Sequence, residues 1–251
     1  MEVLGLDIGG SGIKGAVVNV DTGELVTPRF RLPTPEKAKP ADVADVVNEL
    51  VRHFEWNDLM GCGFPAILQD GIAFSAANIH KSWIGKNAAE LFTKTTGCKT
   101  YMVNDADAAG MAEMVFGAGK DQQRGVVLML TIGTGIGSAI FVDGRLLPNT
   151  EFGHLQIRGK DAEHRSSDAV RQRKKLKWSD WAERFQEFLT AMENLIWPDL
   201  VIIGGGISKQ SEDFFPYLKM RAKIVPAQLL NQAGVIGAAV YAARRDDELT
   251  S

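Results

Sequence analysis

Cysteine is almost missing: Cys62 and Cys98 are the two in 251 residues. Their spacing fits no metal motif, and so few thiols exclude a disulfide framework. They point to a reducing compartment, with the cytoplasm as the expected location. Long hydrophobic runs are lacking too, so no segment is expected to cross a bilayer. The opening MEVLGLDIGG, with Asp7 among its glycines, does not have the pattern of a signal peptide. An excess of charge of one sign is also absent. The chain holds 28 basic and 31 acidic residues, a net charge of −3. With no global basic field, nucleic acid is not an expected partner, and neither is a membrane. What remains is 45% hydrophobic and 24% charged, enough apolar material for one large or two modest cores.

The chain reads as two copies of one pattern. VLGLDIGGSGIKGAVV (3–18) is followed by Asp21-Thr22-Gly23, and VLMLTIGTGIGSAIFV (127–142) by Asp143-Gly144. Each copy is an apolar run, a glycine-rich turn, a second apolar run and a hairpin signal. A helix-spaced apolar set follows each copy: Val43, Val47, Leu50 and Val51 in the first, Trp181, Phe185, Phe188 and Met192 in the second. Ser179 is the expected cap of the second helix and Pro198 its stop. Short strands follow near Met60–Phe64 and Leu200–Ile203. Duplicated hairpin, helix and strand imply two α/β lobes with a cleft between them. The expected small lobe is 1–110 with a C-terminal helix at about 235–251, and the large lobe is 111–234.

The glycine turns suit phosphate. Gly9, Gly10 and Gly12 leave backbone amides open to an anion, Ser11 adds a hydroxyl, and Lys14 adds a cation. Thr131, Gly133, Thr134 and Gly135 offer the same donors without an acid. Asp7, ending the first run, suits Mg2+ held through water. The plainer reading of either turn alone is ordinary hairpin chemistry. Neither is a P-loop, and GTGIG does not open a clean helix as a dinucleotide fold would require. Between Arg158 and Lys177 lie eight Lys or Arg residues against three acids. The cluster, with Arg171, Arg173, Lys174 and Lys175 at its centre, is either a polyanion-binding patch or a solvated helical face.

Taken together, these segments resemble the sugar kinases of the ROK family, within the actin-like ATPase superfamily. LGLDIGGSGIKGAVV resembles the first phosphate motif and LTIGTGIGSAIF the second. VNDADAAGMAE (103–113) resembles the segment with the catalytic aspartate, and VIIGGGIS (201–208) the adenosine-side motif, with Gly204, Gly205 and Gly206. FPAILQDGIAFSAANIHKSWIG, LPNTEFGHLQIRGKDAEHRSSDAVR and RKKLKWSDWAERF are similar to the branch that uses inorganic polyphosphate to phosphorylate glucose.

The resemblance implies an α/β fold of the duplicated, ribonuclease H-like, actin-like type, two lobes with a central cleft, and commonly a homodimer. It implies Asp105 as general base, and Asn78, Asn104, Asp105, Glu151 and His154 as contacts to the sugar. The expected substrates are glucose and polyphosphate, with ATP as a further donor and Mg2+ as cofactor. Most members follow the Gly-His of the sugar site with a zinc-binding cysteine cluster. Gly153-His154 is followed by no cysteine, so zinc is not expected, and the glutamate that lies beyond the cluster elsewhere has no motif-matched position. Plainer readings stand beside these: Asp105 as a helix cap, His154 as a satisfied core histidine and Asn78 as a turn residue. The rival functions are a strictly ATP-dependent hexokinase and a non-catalytic sugar-binding regulator. The second is disfavoured by Asp7, Asp105 and both turns occurring together, and by the absence of a helix-turn-helix before the first motif.

Overall fold

A computed structural model describes residues 1–76 and 79–250. The chain divides into two compact units, Met1–Ala112 with Gln232–Ser251, and Glu113–Asn231. No described helix is long and apolar enough to cross a membrane.

The first unit starts with β1 (Glu2–Ile8), β2 (Ile13–Asn19) and β3 (Phe30–Leu32), an antiparallel meander, and continues through α1 (Pro40–His53) to β4 (Met60–Phe64). The two-residue strands β5 (Leu68–Gln69) and β6 (Ile72–Ala73) pair with each other. Next come α2 (Ala88–Thr96), β7 (Thr100–Asn104) and α3 (Asp105–Phe116). The sheet order is β3-β2-β1-β4-β7, with β1, β4 and β7 parallel. All five residues of β4 are buried, as a parallel strand covered on both faces requires. One cover is α1, whose Val43, Val47, Leu50 and Val51 turn inward at helical spacing. Asn87 caps α2 by accepting the Glu90 amide, and Gly97, at φ 81°, ends it in the left-handed region.

The second unit repeats the plan. β8 (Val126–Ile132), β9 (Ile136–Val142) and β10 (Arg145–Leu147) form the meander, turning at Asp143 and Gly144, whose φ values are 49° and 74°. Two positive φ values in succession are what a tight two-residue hairpin demands. The paired strands β11 (Gln156–Ile157) and β12 (Lys160–Asp161) follow, then α4 (Glu163–Ser166), α5 (Asp168–Lys174), α6 (Trp178–Ile196), β13 (Leu200–Gly204), α7 (Ser211–Phe214) and β14 (Lys223–Pro226). The sheet order β10-β9-β8-β13-β14 matches the first unit position by position. Trp181, Phe185, Phe188, Leu189 and Met192 of α6 are buried against it, and Trp181 Nε1 donates to the Ser166 carbonyl at 2.9 Å. Ser179 does not cap α6. The helix begins at Trp178 after Lys177, and the Ser179 hydroxyl donates to Asp180 instead. Trp197, at φ 46°, and Pro198 end it.

The chain returns to the first unit as α8 (Ala233–Thr250), which covers the other face of its sheet. The fit is backbone to backbone. A Cβ on Gly61 would lie 1.9 Å from the Ala238 carbonyl oxygen, and one on Gly5 2.1 Å from that of Val235. In α8 itself, a Cβ on Gly237 would lie 1.6 Å from the Ala108 carbonyl oxygen of α3. Overlap with backbone cannot be relieved by a rotamer change, so Gly61→Val is expected to destabilise the protein by about 3 kcal/mol. Thermal unfolding checks this. The midpoint of Gly61→Val should fall well below that of Gly206→Ala, whose added Cβ meets nothing within 4 Å, and equal midpoints would contradict the packing.

Candidate active site

In the first unit, β1 and β2 deliver a turn and an ion pair. Their register places Asp7 opposite Lys14, and Lys14 Nζ donates to Asp7 Oδ2 at 3.0 Å. The turn between them closes on itself, with the Gly9 amide donating to the Gly12 carbonyl at 3.1 Å. The Gly9 amide is thus engaged in closing the turn. The amides of Gly10, Ser11 and Gly12 carry no such bond among the described residues. Thr34 steadies the turn from outside, its hydroxyl donating to the Gly9 carbonyl at 2.5 Å. Asp7 also meets the start of α8, where a Cβ on Gly234 would lie 3.0 Å from its Cγ.

The strand-to-helix junction from β7 to α3 separates two adjacent residues. Asn104 is buried: its Oδ1 accepts the amides of Ala106 at 2.9 Å and Asp107 at 3.2 Å, and its Nδ2 donates to the Ala66 carbonyl at 3.2 Å. Asn104 thus does the capping that the sequence also allowed for Asp105. Asp105 opens α3 with an exposed side chain, steadied by the Ala106 amide at 2.9 Å from its Oδ1.

In the second unit the turn between β8 and β9 closes in the same way, Gly133 N to Gly135 O at 3.1 Å, and Ala169 of α5 donates to the Gly133 carbonyl at 3.1 Å. A Cβ on Gly133 would meet nothing within 4 Å, leaving open space above the turn, with Thr134 exposed and Thr131 half-buried beside it. The Ile136 amide donates to Glu163 Oε2 at 3.3 Å, so a carboxylate from α4 reaches the second turn. At the end of β13, Gly205 has φ 80°, and its Cβ would lie 2.4 Å from the Ile132 carbonyl oxygen. Gly205 is therefore fixed by strand packing, while Gly206 faces open space and Gly204 packs on Met129.

The EFGH segment sits beside this turn. Gly153 is there because a Cβ would lie 2.2 Å from the Ile136 carbonyl oxygen of β9. His154 is exposed on one side, and its Nδ1 lies 3.0 Å from Asp161 Oδ2 on β12. Gln156 holds the other Asp161 oxygen. The hydrogen bond to Asp161 pushes the imidazole pKa above its ordinary value, against the effect of partial burial, and Glu163 and Glu151 add to the rise. Burial pushes the Glu151 carboxyl up; His154 opposes this and Glu163 reinforces it. His154, Asp161 and Glu163 bring their donor atoms within 4.8 Å of one another. No motif marks Glu163 in the sequence, and only the fold brings it to Ile136.

The basic stretch is less uniform than its sequence. Arg158 and Arg165 both pair with Glu187, at 2.7 and 2.6 Å. Arg171 donates to Asp168 at 2.8 Å and lies 3.9 Å over the Trp178 ring, so its charge is already engaged. Arg173, Lys174 and Lys175 are exposed at the end of α5. Asn78 lies outside the described residues.

The ROK family model matches residues 3–170. The polyphosphate glucokinase of Mycobacterium tuberculosis is 46% identical over 237 residues, 94% of this chain and 89% of that one. The inorganic polyphosphate/ATP-glucomannokinase of Arthrobacter sp. strain KM superposes with a TM-score of 0.91 at 45% identity, over 97% of this chain and 99% of that one. A ROK family glucokinase from Streptomyces griseus, solved with glucose and AMPPNP, is 22% identical at a TM-score of 0.80, over 97% of this chain and all of its own, and shares the fold. The fold is thus the duplicated, actin-like α/β fold of these sugar kinases, and the chain belongs to the ROK family.

Proposed function

We propose that this chain transfers a phosphoryl group from inorganic polyphosphate, with ATP as a further donor, to the 6-hydroxyl of glucose. Similarity to a polyphosphate glucokinase along 94% of the chain supports the substrates. The observation that carries the chemistry is the division of labour at the head of α3. Asn104 accepts the amides of Ala106 and Asp107, the Ala106 amide also reaches Asp105, and the Asp105 side chain is exposed at this fixed junction. In the reaction Asp105 orients the sugar hydroxyl and accepts its proton as the oxygen bonds to phosphorus and the bond to the donor's bridging oxygen breaks.

Glu151, His154 and Glu163 supply acceptors and a ring N–H for several sugar hydroxyls. Asn104, with one amide hydrogen not engaged by Ala66, supplies a donor. Glu163 takes the place left unassigned by the missing cysteine cluster. Each unit by itself offers donors suited to phosphate oxygens: the amides of Gly10, Ser11 and Gly12 in the first, and the Thr134–Gly135 turn in the second.

The residues at Asp7 fit a water-held Mg2+: one carboxylate oxygen is bound to Lys14, and the other has no hydrogen bond among the described residues. Such an ion, when bound, screens the phosphate charge as it develops. A strictly ATP-dependent hexokinase is the second reading, favoured by the open space at Gly206 in the adenosine-side segment.

Two variants test these assignments. Asp105→Asn is expected to lower turnover by about a thousandfold while calorimetry still records glucose binding; undiminished turnover would remove Asp105 as the base. Replacing Arg173, Lys174 and Lys175 together with Ala is expected to raise the polyphosphate KM and flatten its salt dependence. An unchanged donor response would leave those three cations as a solvated face.

A further inference from the structure

The first glycine turn carries a cation that the mechanism above does not use. Arg31 on the edge strand β3 is in register with Lys14 of β2, which is in register with Asp7 of β1. Residues paired across neighbouring strands point to the same face, so Asp7, Lys14 and Arg31 form a row at the mouth of the turn. Two cations directly opposite each other disfavour the sheet, so this pairing needs a compensating reason. Lys14 is neutralised by Asp7 at 3.0 Å. Arg31 is exposed, and among the described residues no carboxylate lies in ion-pair range of it.

Its position is nonetheless defined. Arg31 Nη2 donates to the Ser11 carbonyl at 2.6 Å. A Cβ on Gly12 would lie 2.3 Å from Arg31 Nε and 2.5 Å from its Cζ. The space that glycine leaves at position 12 is therefore filled by a guanidinium group. The bond to Ser11 uses one of the five N–H donors of that group, and the rest lie at the same turn that carries the amides of Gly10, Ser11 and Gly12.

We propose that Arg31 is a donor-binding residue, its guanidinium holding non-bridging oxygens of the phosphoanhydride chain next to those amides. The inference rests on the kinase reading for the identity of the phosphoanhydride as phosphoryl donor, and it adds to that reading a second cation beside Lys14, whose charge is paired with Asp7. A planar fork matches phosphate oxygens in pairs, and a linear polyanion offers such oxygens on every unit beyond the one transferred.

Calorimetric titration of the full chain with inorganic tripolyphosphate, at low and moderate salt, tests this. Arg31→Gln keeps a donor for the Ser11 carbonyl and removes the charge, while Arg31→Lys keeps the charge and removes the fork. Arg31→Gln should bind tripolyphosphate about tenfold more weakly and with less dependence on salt, with its thermal midpoint and glucose affinity unchanged. Arg31→Lys should recover part of the loss. Equal tripolyphosphate affinity in the wild type and Arg31→Gln overturns the proposal. So does a wild type that does not bind tripolyphosphate, or a loss in Arg31→Gln that comes with a lowered thermal midpoint. A wild type that phosphorylates no sugar with any donor would instead defeat the kinase reading, and the binding comparison would still decide the role of Arg31.

Discussion

Much of the first unit depends on backbone lying directly against backbone where α8 meets the sheet. Gly5 and Gly61 have no side chain at the points where carbonyls of Val235 and Ala238 arrive, and Gly237 clears the carbonyl of Ala108. These glycines sit on strands and in helices at ordinary φ, so their value is clearance and not conformational freedom. The clearance lets a helix cover β1 and β4 closely enough to bury β4 on both sides. The same contact brings Gly234 against Asp7 and packs Ala238 with Val103 and Ala108, just before and after the Asn104–Asp105 junction. Side-chain chemistry at the strand ends is held in place by packing behind them.

The two units share a strand order and diverge in charge. In the first, the turn carries an acid and its cation on paired strands, Asp7 and Lys14. In the second, the equivalent paired positions are Thr131 and Gly137, and the nearest carboxylate is imported from α4 as Glu163. Under the proposed assignments, a turn that faces a metal and a turn beside a group of sugar-binding side chains call for such different surroundings. Glu163 lies close enough to raise the proton affinity of both Glu151 and His154, and those two act on each other, Glu151 raising that of His154 and His154 lowering that of Glu151.

The repeat was legible because it is local. Strands of seven residues flanking glycine turns, and the inward stripe of α1, leave period-two and period-3.6 marks that need no tertiary knowledge. The Asp143-Gly144 turn was legible for the same reason. Ser179 misled because a good capping residue stood one residue inside a helix whose start is set by burial of Trp181 and the packing of Trp178 on Phe214. Glu163 and Arg31 lay beyond reach. Each acts on a turn about twenty or more residues away in sequence, and no spacing rule links Glu163 to Ile136 or Arg31 to Ser11. Asn104 and Asp105 both stand out in the sequence, but which one caps the helix depends on where two neighbouring side chains point. The charge run at 158–177 looked uniform as sequence because its neutralising partner Glu187 comes from a different helix.

The central claim is polyphosphate-driven phosphorylation of glucose, and the most direct test is glucose 6-phosphate formation with Mg2+, offering polyphosphate and ATP in separate assays. The account predicts turnover with both donors and a faster rate with polyphosphate. Turnover with ATP alone would contradict the donor assignment, and no turnover with either would contradict the kinase reading itself.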